Sequence, residues 1–424
     1  MKTKRYFFLN LGCPKNQVDG DHLRGALLKN GLKEMREPDN ADFIIVNTCA
    51  FINQARLETK GEIEELSRYK KNGTKLIAIG CYPVLRNIKN EIPGVDEAFA
   101  YDRQSEFLKY ISGNQNACWN PEEHTRINPG AIFGYVKISD GCDNRCSYCA
   151  IPFIRGRYRS YPPENIIAET KTLVAYGVKE IVLVAQDTAI YGKDLEIGIN
   201  LADLCASLAE VSGVEWIRIM YAHPAHLNDF LIERIFSIDK VCRYVDMPIQ
   251  HISNRILRAM NRPVDSNGIK HLIKQLRNYD NDVSLRTTLM VGFPGESDDD
   301  FKELVDFVEE SQFDHVGAFC YSPEENTVAC SMPNQVDPEL AKERFELLIE
   351  TAERYSTDRA VRMIGKRQKL LIEGMSSEDA SCFEARSQRQ APGIDGYYRV
   401  RRQPGLGPGM LIEALTTDIN QGVV

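Results

Sequence analysis

Residues 142–149 read CDNRCSYC, and this Cys-x3-Cys-x2-Cys spacing decides how the rest of the chain is interpreted. Its three cysteines, Cys142, Cys146 and Cys149, follow directly on a strand-like segment, YVKI. Three thiolates can bind three irons of a four-iron cluster and leave the fourth iron open, as a catalytic metal requires. A zinc site or three packed thiols are the alternatives, but zinc normally uses paired Cys-x2-Cys units or histidines. The spacing therefore favours a 4Fe–4S cluster.

Strand-like and helix-like segments alternate from just before this motif, at residue 135, to about residue 321. The apolar, strand-length runs are Tyr135–Ile138, Glu180–Ala185, Trp216–Tyr221, Tyr244–Asp246, Ser284–Leu289 and His315–Tyr321. Amphipathic segments separate them, and a charged helix over 338–362 follows. Six such units predict an open (β/α)6 barrel, a partial TIM barrel, whose site is built by loops at the C-terminal strand ends.

The first hundred residues contain a shorter series of the same kind. Apolar runs at 7–12, 43–48 and 75–80, with a weaker one at 97–101, alternate with helical stretches. This pattern predicts a parallel α/β sheet that is covered on both faces.

Three more cysteines, Cys13, Cys49 and Cys81, each follow one of these runs. The C-terminal ends of parallel strands share one edge of a sheet, where such folds bind ligands. Residues far apart in sequence can therefore meet there and hold a second three-cysteine cluster. The alternative is three buried strand-end cysteines that behave as small apolar side chains.

The C-terminal residues have a different pattern. Short strand-like runs at 369–373, 383–386, 397–401 and 410–415 are separated by Gly- and Pro-rich turns, which predicts a small OB-like β-barrel. With a polar linker over 113–129, the expected domains are 1–115, 128–360 and 361–424.

Composition limits the function classes. A chain of 424 residues with 43% hydrophobic and 26% charged residues is an ordinary globular protein, and no window is apolar enough to span a bilayer. We expect a cytoplasmic protein without a membrane partner. Its net charge of −8 argues against nonspecific coating of nucleic acid but suits a basic protein partner.

The segment at 142–149 resembles the signature of the radical S-adenosylmethionine (SAM) superfamily. The resemblance implies that the open iron of the cluster binds SAM, that SAM is cleaved to a 5′-deoxyadenosyl radical, and that Tyr148 lies beside the adenine. Gln186 and Arg286, at or within strands that face the expected site, are further candidates for SAM contacts.

Motifs along the whole chain resemble the methylthiotransferases: LGCPKNQVDG at 11–20, IVNTCAFINQA at 45–55 and AIGC at 78–81. The resemblance implies a methylthiotransferase domain, a radical SAM domain and a C-terminal TRAM domain. It also implies two 4Fe–4S clusters, held by Cys13, Cys49 and Cys81 and by Cys142, Cys146 and Cys149. The implied reaction replaces C–H by C–SCH3 and uses two SAM molecules, with a sulfur donor and an electron donor.

Two branches of that family differ in substrate. Pro14-Lys15 after the first cysteine, IPFIRGRYRS at 151–160, LVAQDT at 183–188 and APGIDG at 391–396 resemble the branch that modifies an aspartate of small-subunit ribosomal protein twelve. Gly20-Asp21 departs from its usual Ser-Glu. The alternatives are a tRNA adenosine methylthiotransferase and, in another class, a noncatalytic metal-containing RNA-binding protein.

Arginine-rich segments suggest how a substrate is held. Arg155, Arg157 and Arg159 could meet a substrate carboxylate, or lie on a solvated loop. In the C-terminal strand at 397–401, alternation puts Tyr397, Arg399 and Arg401 on one face. That face suits contact with rRNA, or is simply a solvated surface.

Overall fold

The structure is a computed structural model that describes residues 3–50, 52–71, 73–120, 126 and 131–418. Positions 121–125 and 127–129 of the predicted linker, and the last six residues of the predicted third domain, lie outside the described residues. The chain forms two compact units. The first comprises 1–129, 135–143 and 149–173, and the second comprises 130–134, 144–148 and 174–424.

The first unit contains a five-stranded, all-parallel sheet, as the apolar runs predicted. Its strands are β1 (Arg5–Asn10), β2 (Lys33–Glu34), β3 (Phe43–Thr48), β4 (Lys75–Gly80) and β5 (Glu97–Ala100), in the order β2-β1-β3-β4-β5. The helices are α1 (Pro14–Lys29), α2 (Asn53–Ser67), α3 (Tyr82–Leu85), α4 (Ile88–Glu91) and α5 (Gln104–Ser112).

Both faces of this sheet are buried, which explains why its strands are continuously apolar. Ile44 and Val46 of β3 pack on one face with Ile63 of α2. Phe43 and Ile45 pack on the other face, where the apolar side chains of α1 and α5 cover them.

The remaining elements of the first unit lie immediately before and after the signature in the sequence. It contains β7 (Ser139–Asp140), antiparallel to β8 (Arg159–Ser160), the short helix α6 (Ile151–Arg155) and α7 (Pro163–Ala175), the last two residues of which belong to the second unit. Ala150 and Ile154 of the α6 region lie in the same apolar cluster as Cys81.

The second unit contains the βα series. β6 (Phe133–Lys137), whose first residues belong to this unit, β9 (Glu180–Val184) and β10 (Trp216–Ile219) form one sheet in the order β10-β9-β6. β11 (Tyr244–Asp246), β12 (Ser284–Val291) and β13 (His315–Cys320) form a second parallel sheet. All six barrel strands predicted from the sequence are therefore present, and half of their ends shift by one or two residues.

The helices of this unit are α8 (Leu201–Ala209), α9 (Asp229–Phe236), α10 (Asn254–Ala259), α11 (Ser266–Tyr279), α12 (Asp298–Ser311) and α13 (Pro338–Val361). Side-chain caps start several of them, for example the capping box formed by Ser297 and Asp300 at α12. Within the described part of the chain, no helix is long and apolar enough to cross a membrane.

The C-terminal residues form a curled antiparallel half-barrel sheet, β16-β15-β14-β17, with β14 (Arg367–Met375), β15 (Cys382–Arg386), β16 (Tyr398–Arg401) and β17 (Leu411–Leu415). Buried ion pairs join it to the barrel. Glu180 of β9 contacts Arg218 of β10 and Arg386 of β15, each at 2.6 Å, and Arg386 also pairs with Glu373.

Candidate active site

The structure brings Cys13, Cys49 and Cys81 to one edge of the N-terminal sheet. Cys49 and Cys81 directly follow the adjacent parallel strands β3 and β4, where Thr48 pairs with Gly80. Cys13 follows β1, on the other side of β3, and occupies the N-cap position of α1 without a side-chain capping hydrogen bond. Two of the thiols are almost fully buried and the third is partly exposed.

Two observations show how close these cysteines lie. A Cβ atom added to Gly12, whose φ is +87°, would stand 2.5 Å from Cβ and 2.8 Å from Sγ of Cys49. Burial raises the pKa of Cys81 to about 12, and the neighbouring Cys13 and Cys49 add to the rise because their charges repel a thiolate at Cys81, whereas Arg155 opposes it. The three thiols therefore form one group.

In the first unit, the signature loop is held at its start by a close backbone approach. The amide of Cys142 donates to the carbonyl of Gly156 at 3.2 Å. Gly141 has a φ of +75°, and a Cβ there would lie 2.1 Å from the carbonyl oxygen of Arg157. Only glycine fits this position, so Gly141 fixes the entry to the motif.

In the second unit, the middle of the signature loop is fixed by hydrogen bonds to the end of α10. Ser147 donates from its amide to the carbonyl of Met260 at 3.0 Å and from Oγ to the carbonyl of Ala259 at 2.8 Å. Nδ2 of Asn261 donates to the carbonyl of Arg145, which has a φ of +50°. The loop is thereby held on both sides of Cys146.

A buried guanidinium lies beside Cys146. Arg262 is 7% exposed, and its Nη1 lies 3.9 Å from Sγ of Cys146 and 3.2 Å from the hydroxyl of Tyr148. Its Nη2 donates to the carbonyl of Pro248 at 2.6 Å. Among the described residues, the hydrogen bonds of the Arg262 Nη atoms go to a sulfur, a hydroxyl and a carbonyl rather than to a carboxylate, and its Nε has no hydrogen-bond partner. A buried cation in this position suits a group of negative charge held by the cysteines.

A group of polar side chains stands after β9 and β10. Oδ2 of Asp187 contacts Nδ1 of His226 at 2.6 Å and Nδ2 of Asn144 at 3.0 Å. The rings of His223 and His226 lie 5.1 Å apart. Burial, reinforced by the charge of Arg262, lowers the pKa of His223 to about 3, so this imidazole is neutral near pH 7. Hydrogen bonds from His226 and Asn144 help to lower the pKa of Asp187 despite its burial.

The other residues singled out in the sequence occupy varied positions. Gln186 stands just after β9, and Tyr148 packs beside Met260 and Phe293. Arg286 lies near the N-terminal end of β12, in ion pairs with Asp246 at 3.1 Å and Asp395 at 3.2 Å.

The three arginines of the loop after the signature also differ. Arg155 is buried against Cys81, whereas Arg157 and Arg159 are exposed.

Sequence reasoning missed the group formed by Asp187, His223 and His226. The signal was available in LVAQDT at 183–188 and YAHPAH at 221–226, because their polar residues lie just beyond the ends of predicted barrel strands. Arg262 had no comparable signal, since it lies in a turn after a helix.

The class of the protein follows from comparison with known families and folds. The radical SAM superfamily model matches residues 136–308, and the model described as uncharacterized protein family UPF0004 matches residues 5–99. The solved structure of the radical SAM methyltransferase TsrM from Kitasatospora setae superposes with a TM-score of 0.58, at 14% identity, over 76% of this chain and 77% of TsrM. The chain has the fold of a radical SAM enzyme.

Relatives define the family. The ribosomal protein uS12 methylthiotransferase RimO of Geobacter sulfurreducens is 42% identical over 92% of this chain and 90% of its own length. The RimO of Lachnoclostridium phytofermentans is 38% identical over 98% of both chains. The protein belongs to the RimO family of radical SAM methylthiotransferases, whose cofactors are SAM and two iron–sulfur clusters. Two trios of sulfur donors fit that requirement chemically.

Proposed function

We propose that this enzyme adds a methylthio group to the β-carbon of an aspartate in the small-subunit ribosomal protein uS12, the protein named in its relatives. The observation that carries the proposal is similarity over nearly the whole chain, including the N-terminal sheet and the C-terminal sheet. We assign the reaction to the cytoplasm, where ribosomal proteins occur.

The proposed ligands are Cys13, Cys49 and Cys81 for one 4Fe–4S cluster and Cys142, Cys146 and Cys149 for the other. The grouping of the first trio at one sheet edge supports the first assignment. The spacing of the second trio supports the second. Each cluster would keep one iron without a protein ligand.

Tyr148 and Gln186 are proposed as contacts of SAM, since both belong to the region around the signature and the end of β9. Arg286 was a third candidate from the sequence. Its ion pairs with Asp246 and Asp395 support a structural role for it instead.

The bound cofactors supply a radical that can remove hydrogen from an unactivated carbon and a methylated sulfur that replaces it. The protein's own residues hold and shield the site. Ser147 fixes the loop around Cys146, and Arg262 provides positive charge beside that cysteine. Asp187 and Asn144 connect the loop to the end of β9.

We propose three domains, 1–115, 128–360 and 361–424, the last being a TRAM domain. Its strand β16 supports a contact with rRNA next to the substrate, because Arg399 and Arg401 are exposed while Tyr398 and Val400 pack into the core of the sheet. A sulfur donor and an electron donor complete the proposed partners.

The test uses enzyme reconstituted with iron and sulfide, SAM, a reductant and purified uS12. The expected result is a mass gain of about 46 Da on uS12, the stoichiometric difference between H and SCH3. A uS12 variant with the target aspartate changed to asparagine is the control and should not gain this mass. No gain on wild-type uS12, with both clusters loaded, rejects the proposed substrate.

The same reaction run with tRNA distinguishes the second candidate. A methylthio-adenosine among the digested nucleosides, with unmodified uS12, would assign the tRNA activity instead. Failure to release 5′-deoxyadenosine under any condition would support the noncatalytic class.

A further inference from the structure

The guanidinium of Arg155 lies directly against the N-terminal cysteine group. Its Nη2 donates to Sγ of Cys81 at 3.1 Å and to Oδ1 of Asn16 at 3.4 Å. Asn16 in turn donates to the carbonyl of Leu11 at 2.7 Å, two residues before Cys13. Arg155 therefore reaches the strand ends that carry the cysteines, although it belongs to the segment after the signature.

Buried ion pairs hold this guanidinium in place. Nη1 of Arg155 contacts Asp19 at 2.6 Å and Asp140 at 3.3 Å, and Lys137 contacts the same two carboxylates at 2.5 Å and 2.9 Å. The ring of Tyr101 lies 4.2 Å from Cζ of Arg155. Arg155 is only 5% exposed.

The charged side chains around Arg155 balance one another. The two cations, Arg155 and Lys137, are balanced by the two carboxylates of Asp19 and Asp140. One guanidinium nitrogen remains directed to a sulfur atom rather than to a carboxylate. A structural ion pair alone does not require a contact with Cys81.

We propose that Arg155 is a positioning residue for the cluster of Cys13, Cys49 and Cys81, and that its hydrogen bond to the Cys81 sulfur raises the reduction potential of that cluster. The inference rests on the proposed assignment of these cysteines as ligands. It gives Arg155 a role at the cluster, where the sequence suggested a substrate carboxylate.

The expected rise in reduction potential follows from general properties of iron–sulfur clusters. Hydrogen bonds to the sulfur ligands of an iron–sulfur cluster and nearby positive charge stabilise the reduced form, which is the more negative one. Burial strengthens the effect because solvent does not screen it. Loss of the guanidinium should therefore make this cluster harder to reduce.

The experiment isolates one cluster in the full-length chain. The parent carries Cys142→Ala, Cys146→Ala and Cys149→Ala, so that reconstitution loads only the N-terminal site. Redox titration followed by electron paramagnetic resonance gives the midpoint potential of the parent and of Arg155→Gln and Arg155→Lys in that background. We expect the potential to fall in Arg155→Gln and to fall less in Arg155→Lys, which keeps the charge.

Arg155→Gln also unbalances the buried charges and could prevent folding, so a second pair of variants separates the two effects. Asp19→Asn and Arg155→Gln/Asp19→Asn differ only in the guanidinium, and the double variant restores neutrality with Lys137 and Asp140. The double variant should have the lower potential. Arg157→Gln, on the same loop but 89% exposed and paired with Asp143, is the matched control and should equal the parent.

Two results overturn the inference: equal potentials for Asp19→Asn and the double variant, or a shift of the same size in Arg157→Gln. Loss of iron from the double variant, with its melting temperature and the iron content of Asp19→Asn unchanged, supports the inference. If the parent binds no iron although the wild type loads one cluster, the result rejects the assignment of Cys13, Cys49 and Cys81 as ligands. It does not test the role of Arg155 separately from that assignment.

Discussion

The side-chain amide of Asn144 donates to Oδ2 of Asp187 at 3.0 Å, so the signature loop is tied to the end of β9 by a residue that stands between two cysteines of the motif. The same carboxylate contacts Nδ1 of His226 and accepts hydrogen bonds from the amides of His223 and Ala189. Asp187 is fully buried. It therefore acts as a fixed anchor for three separate segments.

Replacing Asp187 by Ala should loosen the loop that carries Cys146. Residues that orient metal ligands from outside the ligand shell typically contribute 10–100-fold to metal affinity or activity. We expect 5′-deoxyadenosine release to fall by about that factor, measured by chromatography under anaerobic reduction. Glu196→Gln, an exposed change in the segment after the same strand, should leave the rate unchanged; an Asp187→Ala enzyme as active as wild type would contradict the role of the anchor.

The approach of Gly12 to Cys49 leads to a test of the N-terminal group. Gly12→Ala places a methyl group 2.5 Å from Cβ of Cys49, so the cysteines must move apart. Iron content after reconstitution should drop by about half, since one of two clusters is affected. Gly31→Ala is the matched control, because Gly31 has a similar φ of +79° but open space around it. Equal iron loss in both variants would mean that backbone strain alone is responsible.

Arg262 offers a test of the charge beside Cys146. Arg262→Gln removes the buried cation 3.9 Å from that sulfur, and the cluster of the signature should become harder to reduce. We expect 5′-deoxyadenosine release to fall about tenfold or more, which is the loss typical of residues that support metal ligands from outside the ligand shell. Arg258→Gln, an exposed arginine on α10, is the control. Equal rates in the two variants would rule out a special role for Arg262.

Glu169 makes the stability of the first unit depend on pH. Burial would raise its pKa, but the charges and hydrogen bonds of His22 and Arg126 outweigh burial and lower the pKa from 4.5 to about 2. A lowered carboxyl pKa stabilises the fold above the unfolded value and loses that effect as the pH falls towards 2. The contribution near neutral pH is on the order of 3 kcal/mol.

The measurement compares urea unfolding of the iron-free wild type with Glu169→Gln at several pH values. The variant should be the less stable protein at pH 6. The difference should shrink below about pH 4.5, where the Glu169 carboxyl group of the unfolded wild-type chain begins to take up its proton while that of the folded protein is still ionised. Glu164→Gln, exposed on the same helix, should show no such trend. A constant difference from pH 6 to pH 3 would contradict the assignment to Glu169.

The exposed arginines of β16 test the proposed contact with rRNA. Arg399→Ala/Arg401→Ala should weaken RNA binding and reduce the slope of log affinity against log salt by about two, because each arginine is expected to neutralise one phosphate. Lys342→Ala/Arg354→Ala on α13 removes the same charge from another surface and should change the slope little. Fluorescence anisotropy at several salt concentrations measures both.

The fold could be predicted because its signals are local. Apolar strand runs alternating with amphipathic helices identified the six barrel strands, and the run at 43–48 is entirely buried because helices cover both sheet faces. The strand-end positions of Cys13, Cys49 and Cys81 likewise follow from the geometry of parallel strands. Strand ends were less well predicted: β10 ends at Ile219, whereas the apolar run extends to Tyr221.

Arg155 shows what could not be predicted. In the sequence it is one of three arginines in a polar loop and looks like its exposed neighbours Arg157 and Arg159. Its burial depends on Asp19, 136 residues earlier, and on Cys81, 74 residues earlier. Pairings over such sequence separations depend on tertiary structure, and no periodicity in the sequence indicates them.

The buried pairs of Arg386 with Glu180 and Glu373 bear on how this protein can be divided or recombined. A chain ending before β14 would leave Glu180 without Arg386, one of its two cations, and Arg218 without the carbonyl of Gln388 that accepts its hydrogen bond, although Glu180 and Arg218 both belong to the barrel. A chimera that exchanges the C-terminal sheet between relatives would need matching residues at both barrel positions. The C-terminal sheet, from β14 onward, is thus electrostatically coupled to β9 and β10, two strands near the middle of the chain.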